Sequence, residues 1–95
     1  MNEPIIESSG NVFADLGFQE EEATLLKLRA DLMVSLRQAI DARGWTQAEA
    51  AQSLGISQPR VSDLTRGKWD RFSLDMLLAL AVRIGLHPQI ELKAA

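Results

Sequence analysis

Several residue types are missing or scarce in this 95-residue chain, and each absence narrows what it can be. There is no cysteine, so neither a disulfide framework nor a thiolate metal site is available, and the chain fits a reducing compartment. There is no tyrosine and a single histidine. That histidine, His87, stands beside Pro88 and reads as a turn residue rather than a base or a ligand. The acids show no paired arrangement, so a small hydrolase fares badly. The expectation is a protein that is not an enzyme and holds no metal or cofactor. No apolar run approaches the roughly 18 residues of a membrane span, and the start Met1-Asn2-Glu3-Pro4 lacks the basic-then-apolar layout of a signal peptide. The expected setting is the cytoplasm, with no membrane partner.

What remains is enough for one domain with one core. The formal charge of -3 argues at first against a polyanion partner, because phosphate neutralisation supplies most non-specific affinity for nucleic acid. Its distribution removes that objection. Glu3, Glu7, Asp15, Glu20, Glu21 and Glu22 place six acids and no base before Ala23, leaving seven acids against ten bases after it. The chain divides accordingly into an acidic arm, residues 1–21, and a mildly basic body, residues 22–95.

Residues 1–10 carry Pro4, Ser8, Ser9 and Gly10 with little periodicity and read as a mobile tail. From Asn11 to Phe18 a short helical turn is expected, capped by Asn11 and stopped at Gly17, with Val12, Phe13, Leu16 and Phe18 clustered on it. Leu25, Leu28, Leu32, Leu36 and Ile40 recur at three- and four-residue steps, predicting a long amphipathic helix from about Glu20 to Arg43 with those five residues as its buried face. Thr46 and Glu49 form a capping box that opens a second helix, which Gly55 closes. Ser57 caps a third. Because Pro59 lacks an N–H, the serine hydroxyl is expected to bond the Arg60 N–H. Gly67 ends that helix. Ser73 starts a fourth, with Phe72 and Leu77 as a hydrophobic staple and Leu74, Leu77, Leu78, Ala81 and Ile84 as the inner stripe. Trp45 and Trp69 border helices and read as lids on the core. From Leu86 the pattern changes to alternation, with Pro88, Ile90 and Leu92 against His87, Gln89, Glu91 and Lys93, which predicts a half-buried strand.

The informative stretch is Gln47 to Arg66, two short helices about Gly55-Ile56-Ser57. Ala51 is small where the helices cross, Gly55 can turn the chain sharply, and Val61 and Leu64 supply a one-turn apolar pair. A plain helical hairpin would need no more. The surplus is a third helix on which Gln58, Arg60, Ser62 and Asp63 are all polar. The pattern resembles the XRE family, the Cro and phage-repressor type of helix-turn-helix regulator, on Thr46-Gln47, Gly55-Ile56-Ser57-Gln58 and Arg66-Gly67. The resemblance implies a mostly α, four- to five-helix lambda-repressor-like DNA-binding domain whose third helix lies in the major groove of double-stranded operator DNA. Base reading then falls to Gln58, Arg60, Ser62 and Asp63, with Gln58 suited to adenine and Arg60 to guanine or a phosphate. Asp63 either accepts from cytosine or holds a neighbouring arginine. Backbone contacts fall to Gln47, Ser57, Arg66, Lys68 and Arg71.

A narrower resemblance, to the HigA-type antitoxins of the same family, rests on Asn11 to Phe18, on Gly67-Lys68-Trp69-Asp70-Arg71-Phe72-Ser73 and on the alternating tail. It implies a homodimer that pairs with a RelE/HigB-type ribonuclease toxin and represses its own operon. Val12, Phe13, Leu16 and Phe18 among the arm's acids are the expected toxin contact, unless they merely close the domain's own core. A stand-alone regulator without a toxin is the competing reading. The lone tail strand is expected to pair with its copy about a twofold axis through Leu86, Ile90 and Leu92.

Overall fold

The computed structural model describes residues 11–94. The reading of residues 1–10 as a mobile tail lies outside them. The described chain is helical: α1 (Val12–Asp15), α2 (Glu20–Ala42), α3 (Gln47–Leu54), α4 (Gln58–Thr65), a single 3-10 turn (Trp69–Arg71) and α5 (Leu74–Arg83). Each boundary has a local cause. Asn11 accepts from the Phe13 and Ala14 N–H groups and opens α1. Three glutamates fill the first turn of α2, where the macrodipole favours them. Thr46 and Glu49 form the reciprocal capping box of α3, and Gly55 ends it in the left-handed region at φ 71°. Ser57 Oγ accepts from the Arg60 N–H at 3.4 Å, and Ser73 Oγ accepts from Met76 N–H at 3.1 Å.

The main core joins Met33, Leu36 and Ile40 of α2 to Ala50, Ala51 and Leu54 of α3, Val61 and Leu64 of α4, and Leu77, Leu80 and Ala81 of α5, closed by Phe72 and Ile84. Trp45, Ile56 and Leu86 lean on it from the edges. Two arginines tie the helix ends together. Arg83 donates to the Leu54 carbonyl at 2.9 Å and Arg43 to the Ile84 carbonyl at 2.7 Å, so the last carbonyl of α3 and the C-cap carbonyl of α5 gain charged partners. A smaller cluster holds Phe13, Ala23 and Leu26, and Trp69 packs against both. Phe13 meets the Trp69 ring edge-on at 5.7 Å, and Asn11 Nδ2 donates to the Ala23 carbonyl at 3.1 Å. The arm's last turn is therefore docked, and α2 runs through residues 20–22 without a break.

Two expectations are corrected. The buried face of α2 is set by Ala23, Leu26, Met33, Leu36 and Ile40, whereas Leu25 and Leu28 are exposed at 45% and 36%. Two apolar stripes run side by side along this helix. α1 and Trp69 cover the Leu26 side of its N-terminal half, while Leu25 is left in solvent and Leu28 borders a surface groove shared with Leu32, Leu74, Leu78 and the tail residues Pro88 to Ile90.

The second correction concerns the tail. Residues 86–94 form no strand, and there is none anywhere among the described residues. Alternation fixes which side chains point together, but a strand exists only against a ladder partner, and no neighbouring strand offers one. The tail instead follows α5 as an irregular segment. Leu86 N–H bonds the Ala81 carbonyl at 3.0 Å, and the Leu86 side chain packs on the core of its own chain. Ile90 and Leu92 remain exposed, at 61% and 93%.

Candidate nucleic-acid interface

The arrangement of α3 and α4 follows from three local devices. The capping box fixes the start of α3; Gly55 reverses the chain in a conformation that costs an L side chain about 1–2 kcal/mol; and Ser57 with Pro59 restarts the helix two residues later. A Cβ added at Gly55 would meet the Arg83 Nη1 at 3.6 Å, an ordinary contact, so the glycine is demanded by backbone angle and not by space. Gly55 N–H and Ile56 N–H both return to the Ala51 carbonyl, at 2.8 and 3.1 Å, closing the turn.

With Val61 and Leu64 buried at 1% each, the rest of α4 is oriented. At 100° per residue, Pro59, Ser62, Asp63 and Arg66 fall within about 50° of the direction opposite the core, while Arg60 falls about 70° from the core direction. Gln58 stands at the exposed N-terminal end of the helix. Gln58, Pro59 and Arg66 are exposed on this part of the helix, with Ser62 and Asp63 half-buried among them. Gln47 is exposed at the first position of α3, Ser57 is exposed just before α4, and Arg66 ends α4. Lys68 and Arg71 follow on the connection to α5, the first half-buried and the second exposed.

Arg60 is placed differently from a free base reader. Its guanidinium lies 4.2 Å over the Phe72 ring and donates to the Arg71 carbonyl at 2.8 Å. The helical wheel sets Arg60 on the flank of the core, but only the packing of the following connection brings Phe72 beneath it. Asp63 also has a partner: its carboxylate accepts from Arg71 Nη1 at 3.4 Å. Of the two roles open to Asp63, that of holding a neighbouring arginine is the one for which the fold supplies the arginine.

In the N-terminal arm the four expected contact residues separate. Phe13 is buried in the small cluster. Val12 and Leu16 are exposed at 60% and 70%, and Phe18 at 37% keeps an edge-to-face contact with Phe13 at 6.1 Å. His87 is exposed, among the described residues no group of three or more metal-ligating side chains converges, and no helix is long and apolar enough to cross a membrane.

Comparison with known proteins agrees with this geometry. Residues 12–93 match the family model described as a helix-turn-helix domain. A solved structure described as an XRE family transcriptional regulator superposes with a TM-score of 0.73 at 31% identity, covering 78% of this chain and 83% of that one. No curated protein sequence matches. On the extent of both matches, this chain belongs to the helix-turn-helix domain family, in its XRE type of transcriptional regulator.

Proposed function

We propose that the chain represses transcription by binding operator DNA as a homodimer, and that it serves as the antitoxin of a toxin pair; it acts by binding and not by catalysis. One observation carries the DNA reading. The second helix of the helix-turn-helix spends only Val61 and Leu64 on the core and offers a polar face, with Arg66, Lys68 and Arg71 at its C-terminal end. Those three bases, with Gln47 and the Ser57 hydroxyl, suit phosphates on either side of a groove, and Gln58 and Ser62 suit base edges.

The dimer reading is supported by Ile90 and Leu92, two apolar side chains exposed on the tail. Packing Ile90 and Leu92 of two copies together about a twofold axis would bury both, and a twofold dimer would present its two copies of α4 to half-sites about one duplex turn apart, roughly 34 Å. With Leu86 partly buried against the core of its own chain, Ile90 and Leu92 are the tail's more exposed apolar side chains. The antitoxin reading is supported by Val12 and Leu16, exposed beside Asp15, Glu20, Glu21 and Glu22. Apolar anchors rimmed by acids match the basic surface that a ribonuclease needs to hold RNA. Phe13 contributes by closing the arm's own core.

The test is a duplex selection from random sequence with a salt titration, run beside co-purification from the native operon. The selected duplex should be a pseudo-palindrome. Affinity should fall about a thousandfold between 50 and 200 mM salt if some six phosphates are contacted. Gln58→Ala should cost about 1–3 kcal/mol on the selected duplex and less on random DNA. A flat salt response sinks the DNA reading. Val12→Asp with Leu16→Asp should abolish co-purification of a small basic ribonuclease while leaving operator binding intact. Absence of any such protein from the wild-type preparation leaves a stand-alone regulator.

A further inference from the structure

The loop after the third helix of the domain is bound to that helix in both directions. Arg60, on α4, reaches out to stack on Phe72 and to donate to the Arg71 carbonyl at 2.8 Å. Arg71, on the 3-10 turn, reaches back to Asp63 of α4 at 3.4 Å. Backbone joins them too, since Lys68 N–H bonds the Asp63 carbonyl at 3.0 Å. Phe72 itself is fixed, buried at 3% in the main core.

The exposures assign the members of this circuit their parts. The Arg71 side chain is 52% accessible and the Asp63 side chain 19%, so the cation faces solvent and the carboxylate lies behind it. A long arginine side chain free to wander loses rotamer entropy on meeting a phosphate; one already held loses less. Its planar fork has five N–H donors. Holding one of them leaves others for a phosphate oxygen.

Resting on the DNA-binding reading above, we propose that Asp63 and Arg60 are positioning residues that preset Arg71 as a phosphate clamp, and that neither reads a base. The acid on the DNA-facing helix then assists binding, although its charge alone opposes it. Two physical effects of opposite sign meet at one residue. Repulsion from phosphate predicts that neutralising Asp63 tightens binding. Loss of the held geometry predicts that it weakens binding, and the second effect wins if Arg71 makes a contact that depends on its rotamer.

The experiment measures affinity and its salt dependence for the full chain on a duplex selected by the wild type and on a random duplex, with Asp63→Asn, Arg71→Ala, the double variant and Arg60→Lys. Asp63→Asn is isosteric, and thermal melting followed by circular dichroism checks that each variant is folded at the assay temperature. Asp63→Asn should weaken binding about three- to tenfold on both duplexes. Arg71→Ala should weaken it and lower the salt slope by about 1 per protomer. The double variant should bind no more weakly than Arg71→Ala alone, because the carboxylate acts only through the guanidinium. Arg60→Lys keeps the charge but loses the planar stack and fork, and should weaken both duplexes alike. The assignment is overturned if Asp63→Asn tightens binding, if the two losses add, or if the Arg60→Lys loss is confined to the selected duplex, which would make Arg60 a base reader. A wild type with no salt-dependent duplex binding overturns the DNA reading and this assignment with it; the other outcomes overturn the assignment alone.

Discussion

The helix-turn-helix and the two ends of the chain treat their apolar residues in opposite ways. Between Thr46 and Arg66 every large aliphatic side chain is spent inward: Leu54, Val61 and Leu64 are buried and Ile56 is partly so. At the ends, Val12, Leu16, Ile90 and Leu92 stand in solvent. The difference separates residues that hold the domain from residues that are left for something outside it. A side chain already at full burial has nothing further to gain from a partner, whereas an exposed one gains about 25 cal/mol for each Å² it loses to water. Partner surfaces are therefore to be sought at the ends, and the DNA surface, whose contacts are polar, on the middle unit.

Truncation sets the contrast at its widest. Leu54→Ala, at a position with no exposure, should cost about 2–5 kcal/mol and lower the melting temperature by roughly 10 °C or more. Val12→Ser should stay within about 0.5 kcal/mol. Comparable losses at both sites in calorimetry would erase the distinction. The tail tests it from the other side. Ile90→Asp with Leu92→Asp should leave the fold intact but yield monomers in equilibrium sedimentation, with operator affinity reduced on the order of a hundredfold through lost avidity. A dimer that persists would move the partner surface elsewhere, the exposed Leu25–Leu28 stripe being the next place to look.

Smaller effects probe how the middle unit is held. Gly55→Ala should cost about 1–2 kcal/mol by backbone strain, without a steric clash to relieve. A stabilising result in denaturant titration would show that the turn can relax out of the left-handed region. Thr46→Ala removes one half of the capping box and should cost about 1 kcal/mol. Glu49→Ala, removing the reciprocal bond, should cost less, and an inverted order would mean that the carboxylate acts mainly on the helix dipole.

Much of this was legible before the structure, and the legible part has a common origin. Caps at Asn11, Thr46, Ser57 and Ser73, the stops at Gly55 and Gly85 and the staple of Phe72 with Leu77 depend on residues within four or five positions of one another. Chain-local geometry settles them whatever the tertiary context. The resemblance to the XRE family rested on that same local pattern. The tail shows where such reasoning fails, since alternation from Leu86 to Lys93 is also local, but a strand requires a second backbone that the sequence of one chain does not place.

The sequence by itself determined where each helix begins and ends, that Gly55 turns the chain, and that Val61 and Leu64 orient α4. Tertiary structure alone decided which of two apolar stripes on α2 is buried, because Leu25–Leu28 and Ala23–Leu26 satisfy the same helical period and only the docking of α1 and Trp69 on one side distinguishes them. It also decided that Phe13 turns inward while Val12 and Leu16 do not, and that Arg60 is fastened to Phe72 and the Arg71 carbonyl. Those outcomes hang on contacts between elements that are remote in sequence or joined through a turn. Periodicity specifies the face of a helix but carries no information on what will be packed against it.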